Sequence, residues 1–260
     1  MIEPILKYYN LSQNVTAFST TRHGGFSTGP YASFNINEYC GDTPQHIQQN
    51  KEILCRKLAI KPSTLVLPHQ VHGVHVLPVY DSFFSLQPES RKLALEDTDA
   101  LITAERQICI GVSTADCVPI LLYDPRNHAA AAVHAGWRGT VQHIAEHVVA
   151  MLHRCFHSVP SELRAVIGPS ISMRSFEVGD EVYQAFAEAH FPMERIAQSL
   201  SGKWHIDLWQ ANAESLSLAG LPLSNISYSG ICTYEHSDDY FSARKLTINS
   251  GRIFSGIILR

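Results

Sequence analysis

Two apolar runs joined by a turn constrain this chain more than any other feature. Residues 117–136 read CVPILLYDPRNHAAAAVHAG. Both runs, 118–124 and 129–135, are apolar at neighbouring rather than alternating positions, the pattern of strands covered on both faces. Between them Asp124, Pro125, Arg126 and Asn127 favour a turn for definite backbone reasons. The pair is expected to form a hairpin inside a mixed α and β domain with buried sheets.

The rest of the chain fits that frame. Short β-branched runs at 15–20, 64–67, 74–79, 108–113, 163–168, 226–231 and 252–259 read as further strands. After Thr140, a good N-cap, helical spacing links Val141, Ile144, Ala145, Val148 and Leu152. The same spacing runs from Asp180 through Val182, Phe186 and Ala189. It returns from Asp207 through Leu208, Ala211 and Leu216, with a stop at Gly220 and Pro222. A fourth helix is expected within 44–60, and 80–98 is expected to be an irregular connection. With no internal repeat and no low-complexity tract, residues 1–260 read as one domain.

Composition narrows the function classes. With 45% hydrophobic and 17% charged residues, the 260-residue chain is of ordinary globular type and long enough to bury a core. A net charge of −4 argues against a nucleic-acid binder held by a basic surface. No apolar run reaches the ~18 residues of a membrane span. Residues 1–15 lack the charged-then-apolar order of a secretion signal. The cysteines at 40, 55, 109, 117, 155 and 232 show no CxxC spacing. Reduced thiols in a cytoplasmic protein are therefore expected rather than a disulfide framework.

The hairpin also carries chemistry. A turn centred on Arg126 sets Cys117 opposite residue 135, or opposite His134 one step along. Directly opposed Cβ atoms lie about 4.5–5.5 Å apart, so a thiol and an imidazole reach the same end of neighbouring strands. Two chemistries use such a pair: both groups bind a transition metal such as zinc, or the histidine deprotonates a nucleophilic cysteine. The metal needs a third ligand, and PHQVHGVH at 68–75 offers His69, His72 and His75 with no spacing that chooses among them. The plain alternatives are a core cysteine and a hydrogen-bonded histidine at a strand end. HIAEH at 143–147 matches the inverted zinc-protease pattern H-x-x-E-H. His143 and His147 lie roughly 100–150° from the apolar stripe of their helix, however, and are expected to face solvent.

Further blocks follow one another along the chain: STTRHGGFSTGPYASFNI (19–36), CGD (40–42), HQVHG (69–73), DTDALIT (97–103) and TADCVPILLYD (114–124). After them come VHAGWRGT (133–140), AVIGPSIS (165–172), FEVGDEV (176–182), CTY (232–234) and FSARK…GRI (241–253). In these blocks the chain resembles the YfiH family, once labelled multicopper polyphenol oxidases, over nearly its whole length. The resemblance implies an α+β sandwich with two central mixed β-sheets and helices on the outside. It implies a zinc site, with copper possible, made of His72, Cys117 and His134; preferring His72 to His69 rests on the resemblance. It also implies phosphorolysis of adenosine, inosine and methylthioadenosine, with adenosine deamination. Some bacterial members are credited with editing peptidoglycan precursors. The expected partners are a small nucleoside and phosphate, with no nucleic acid and no membrane, and the expected state is a monomer.

Three protein ligands leave a fourth tetrahedral position open, as in catalytic rather than structural zinc sites. Within that implied chemistry Cys117, His134, Asp116 and Arg138 form the expected catalytic group, Asp116 orienting a ligand or handling a proton. Arg22, Arg138 and Arg244 sit beside glycine corners or strand ends, where a guanidinium grips phosphate well. Asn35 and Ser242 are expected sugar or base contacts, and Trp137 a pocket wall. The family often has two arginines after the FS block, whereas this chain has Arg244-Lys245 and loses a bidentate fork. No H-x-H pair occurs in the sequence, so laccase chemistry fits poorly. One copper at an N/S site remains reasonable, since Cu²⁺ outcompetes Zn²⁺ at most such sites. The alternatives are a hydrolase using Cys117 and His134, which could act on a cell-wall precursor, and a non-catalytic role in a complex.

Overall fold

The computed structural model describes residues 3–260. Its strands are β1 (Leu6–Tyr9), β2 (Val15–Thr20), β3 (Leu65–Val66), β4 (Val76–Pro78), β5 (Ala100–Thr103), β6 (Cys109–Thr114) and β7 (Val118–Asp124). They continue as β8 (Ala129–Ala135), β9 (Arg164–Ile167), β10 (Glu177–Val178), β11 (Ala197–Leu200), β12 (Lys203–Ile206), β13 (Ile226–Tyr228) and β14 (Ile253–Leu259). The helices are α1 (Pro44–Leu58), α2 (Pro88–Leu95), α3 (Trp137–Val141), α4 (Ile144–Phe156), α5 (Asp180–Glu188), α6 (Met193–Ile196), α7 (Leu208–Leu218) and α8 (Ala243–Leu246). One mixed sheet has the order β1-β2-β14-β6-β3 and the other β13-β9-β7-β8-β5-β4; β10, β12 and β11 form a small third sheet. No helix among the described residues is long and apolar enough to cross a membrane.

Alternation inside the alanine run explains the layering. Ala129, Ala131, Val133 and Ala135 of β8 pack with Ile144, Val148 and Leu152 of α4 and with Leu208 and Leu216 of α7. Ala130 and Ala132 face the other way, with Ile110 and Val112 of β6 and Ile257 and Leu259 of β14. The six-stranded sheet thus lies between helices and the five-stranded sheet, so its central strands read apolar at every position. Phe18 and Phe254 on the far face of the five-stranded sheet meet Leu54 and Leu58 of α1. The order of layers is helix, sheet, sheet, helix: an α+β sandwich with two central mixed sheets.

Three local expectations are corrected. The hairpin turn is one residue longer at its C-terminal side, because Asp124 pairs with Ala129. The Asp124 carboxylate accepts from the N–H groups of Arg126 and Asn127 (2.8 and 3.1 Å), and His128 closes the turn with φ 53°. The ladder therefore sets Val118 opposite Ala135 and Pro119 opposite His134, leaving Cys117 just past its end. Thr140 does not cap the long helix. It lies inside α3, where its hydroxyl donates to Gly136 O (3.0 Å), and α4 starts after His143 in the left-handed region. Finally, residues 80–98 carry a 3-10 turn and α2, begun by Pro88 at its first position.

Candidate metal centre

The site forms where the chain passes from one sheet to the other. β6 belongs to the five-stranded sheet and β7 to the six-stranded one, so residues 115–117 cross between layers. Asp116 makes the crossing with φ 87°. Its carboxylate accepts from Thr233 Oγ1 (2.6 Å) and Arg244 N (2.7 Å), and its carbonyl accepts from Ile171 N (3.0 Å). Both carboxylate oxygens are thus engaged in holding the turn that carries Cys117. The thiol lies on the same face of the hairpin as His134, displaced diagonally by two positions.

His134 is buried at the end of β8. Its Nδ1 donates to Asp99 Oδ1 (2.7 Å) and its backbone N–H to Asp99 O (2.8 Å). Asp99, wholly buried just before β5, also accepts from the N–H groups of Val71 (3.2 Å), His72 (3.0 Å) and Gly73 (2.7 Å). One carboxylate therefore orients one histidine and shapes the loop that presents another, in which His72 takes φ 65°. Gly136 supplies the room: a Cβ there would lie 2.9 Å from His72 Cδ2 and 3.0 Å from Cys117 Sγ. His72, Cys117 and His134 converge with ligand atoms within 4.8 Å of one another, the one such group among the described residues. Of the other loop histidines, His75 is exposed and bonds Thr98, while His69 lines the cleft outside the group.

Charge reinforces the geometry. Burial pushes the Cys117 thiol up, but His134 and then His72 outweigh it and hold it down at about 6. Burial pulls His134 down, whereas Cys117 and Asp99 raise it to about 9. Burial also pushes Asp99 up, and the bonds from His134 and the loop N–H groups overcome this to keep it below the usual carboxylate range. Between these limits the metal-free site is a thiolate beside an imidazolium, and the thiolate is the metal-binding form. In metal-stripped protein, Cys117 alkylation by iodoacetamide should reach half its maximal rate near pH 6. An ordinary thiol does so near ~8.5. Mass spectrometry across a pH series checks this, and a midpoint above about 8 contradicts it.

A cleft of ≈ 660 Å³ opens onto the three ligands. Asp116, Arg244 and Trp137 line it, as do Tyr39, His69, Phe176 and Arg252. Arg244 donates to Glu177 O (3.0 Å) and its guanidinium lies 5.4 Å from the Phe176 ring centre. Arg252 donates to the carbonyls of Ile248, Ser250 and Gly251, so its fork braces the 248–251 loop.

The other sequence candidates lie outside this lining. Arg22 donates to Ala32 O and Ser237 O and lies over Phe241. Arg138 is exposed, 4.3 Å above Trp137. Asn35 is fully buried, its amide bonded to Asp42, Asn37 and Arg252. Ser242 is buried as the N-cap of α8, accepting from Lys245 N. His143 bonds Glu146 and stacks on Phe191, while His147 is exposed, and neither belongs to a metal group. Sequence reasoning assigned no role to Asp99; an acid directly before the apolar run 100–102 was the available signal.

Residues 16–260 match the family model described as multi-copper polyphenol oxidoreductase laccase. A protein of Bacteroides thetaiotaomicron named purine nucleoside phosphorylase is 44% identical over 259 residues, covering 98% of this chain and 96% of the relative. A protein named adenosine deaminase RL5, from an unknown prokaryotic organism, is 42% identical over 247 residues, with 94% of each chain covered. The crystal structure of YlmD from Geobacillus stearothermophilus superposes with a TM-score of 0.89 at 31% identity, covering 97% of this chain and 94% of that one.

Proposed function

The chain belongs to the YfiH family, and from that premise we propose that it is a zinc-dependent purine nucleoside phosphorylase. It would cleave adenosine, inosine and methylthioadenosine to the free base and the sugar 1-phosphate, with adenosine deamination as a side activity. The observation that carries this reading is the convergence of His72, Cys117 and His134 on a cleft large enough for a nucleoside. Names of relatives support both activities.

The donor set suits the metal. One thiolate and two imidazoles make a ligand set that zinc accepts readily, and a carboxylate on the second nitrogen of His134 is the usual outer partner of such a ligand. Copper is the competing occupant. When bound, the metal supplies Lewis acidity, which activates water or polarises a substrate atom. The protein's own residues do the rest. Tyr39, Trp137 and Phe176 line the cleft and would supply the aromatic surface that a planar base meets. Arg244, with one N–H on Glu177 O, supplies its remaining N–H groups to phosphate. Lys245 keeps positive charge nearby, its Nζ 4.7 Å from the Tyr234 ring centre.

Chromatography of adenosine incubated with the protein tests this, with and without phosphate, before and after chelation. The expected products are adenine and ribose 1-phosphate when phosphate is present and inosine when it is absent. Both should vanish with chelator and return with zinc. Adenosine unchanged in every arm contradicts the proposal. A second reading, a Cys117/His134 hydrolase, is favoured by the thiolate–imidazolium pair; it requires turnover of a cell-wall precursor that survives chelation and stops with iodoacetamide.

A further inference from the structure

One stretch of backbone meets three histidines, two of which, His69 and His134, line the cleft. Between α2 and β5, three residues each meet a different imidazole at Nδ1. Glu96 Oε2 accepts from His69 (2.5 Å), Thr98 Oγ1 pairs with His75 (3.0 Å), and Asp99 Oδ1 accepts from His134 (2.7 Å). Asp99 serves the metal centre. His69 lies outside that group yet lines the same cleft, three positions before His72.

His69 is held more tightly than an accessible side chain needs to be. The side chain is 36% exposed, but its ring stacks on Tyr39 at 4.1 Å and 16°. Its backbone N–H donates to Leu95 O (2.9 Å), and its carbonyl accepts from Thr98 N (3.1 Å). The next residue, Gln70, is locked to Ser113 by reciprocal bonds of 2.8 and 2.7 Å. The Tyr39 stack and the Glu96 bond together offset the conformational entropy lost in ordering a part-exposed ring. A carboxylate on Nδ1 leaves Nε2 as the atom that exchanges protons with an occupant of the cleft. Catalytic acid–base histidines are aligned by carboxylates in the same way.

We propose that His69, positioned by Glu96, protonates N7 of the departing purine. The inference rests on the phosphorylase reading. In this step a phosphate oxygen forms its bond to C1′ as the C1′–N9 bond breaks and its electron pair passes into the purine. The proton moves from His69 Nε2 to N7, so the base leaves neutral, and water returns a proton to the imidazole afterwards.

Inosine and 7-methylinosine separate this role from a structural one, because the methylated base already carries positive charge and needs no acid. His69→Ala should lower kcat on inosine by roughly 100-fold while changing 7-methylinosine cleavage by no more than about threefold. Glu96→Gln should show the same selectivity with a smaller loss, whereas damage to the fold would lower both substrates together. Added imidazole should restore inosine cleavage by His69→Ala, and this readout decides the matter if the wild type rejects the methylated nucleoside. Equal losses on both substrates, unchanged inosine cleavage or a failure of rescue in that case overturns the role of His69 while leaving the phosphorylase reading intact. A wild type that releases base from adenosine but from neither inosine nor its methylated form overturns the role of His69 alone; one that releases base from none of the three removes both.

Discussion

Cys117→Ser is expected to lose the tightly bound metal and to lower kcat/KM on adenosine by on the order of 10³-fold, roughly 4 kcal/mol of transition-state stabilisation. The change is nearly isosteric and falls in a half-buried turn, so the fold should survive. What disappears is the charge. The thiol is ionised near neutrality because His134 and His72 outweigh its burial, and a serine hydroxyl in that position stays protonated. His134 in turn loses the first of the groups that raise it. Metal content after gel filtration and steady-state kinetics measure both effects. Stoichiometric zinc together with wild-type turnover in the variant would contradict the assignment.

Asp99→Asn is expected to have the next largest effect, on affinity and stability together. The Asp99 carboxylate accepts four hydrogen bonds, from three loop N–H groups and from His134 Nδ1. An amide presents one oxygen and one NH₂, so donors face donors at one end whichever way it is turned. Each buried donor left unpaired costs about 1–3 kcal/mol. A drop in melting temperature of about 5–10 °C follows for a chain of this size. Metal affinity should fall about 10–100-fold as His134 loses its orienting partner. The acid limb should change as well. Asp99 is held below the ordinary carboxylate range, so its contribution is complete above about pH 4 and lost as the pH falls through the folded value. The asparagine variant lacks that part of the acid dependence. Calorimetry between pH 3 and 7 (a range chosen to span about one unit below and three above the carboxylate value) reads both effects, and an unchanged melting curve contradicts them.

Much of the architecture was legible because the length of an apolar run and the 3.6-residue spacing of a helix are local signals. The uninterrupted apolar runs at 118–124 and 129–135 announced a sheet covered on both faces, and β7 and β8 pack as that pattern requires. The register was not legible. Whether His128 belongs to the turn or the strand depends on the Asp124 carboxylate capturing two N–H groups, and on His128 entering the left-handed region. The start of α4 was misplaced for a similar reason: the Thr140 hydroxyl bonds back to Gly136 and accepts from Asn212, a residue 72 positions away. For the site, Cys117 and His134 emerged from the hairpin, whereas His72 needed the resemblance. Its selection over His69 and His75 depends on Asp99 and the space left by Gly136. No spacing rule encodes a carboxylate that reaches one loop and one strand at once. The arginines show the converse. Their neighbouring glycines suggested anion sites, yet Arg22 is bonded to Ala32 O and Ser237 O, contacts invisible without the fold.

X-ray absorption at the zinc edge of the reconstituted protein tests the central claim most directly. One sulfur at about 2.3 Å and two imidazole nitrogens at about 2.0–2.1 Å are expected in the wild type, and no protein-bound zinc in Cys117→Ser. A wild-type shell containing no sulfur, or a protein that retains no zinc at all, would contradict the account.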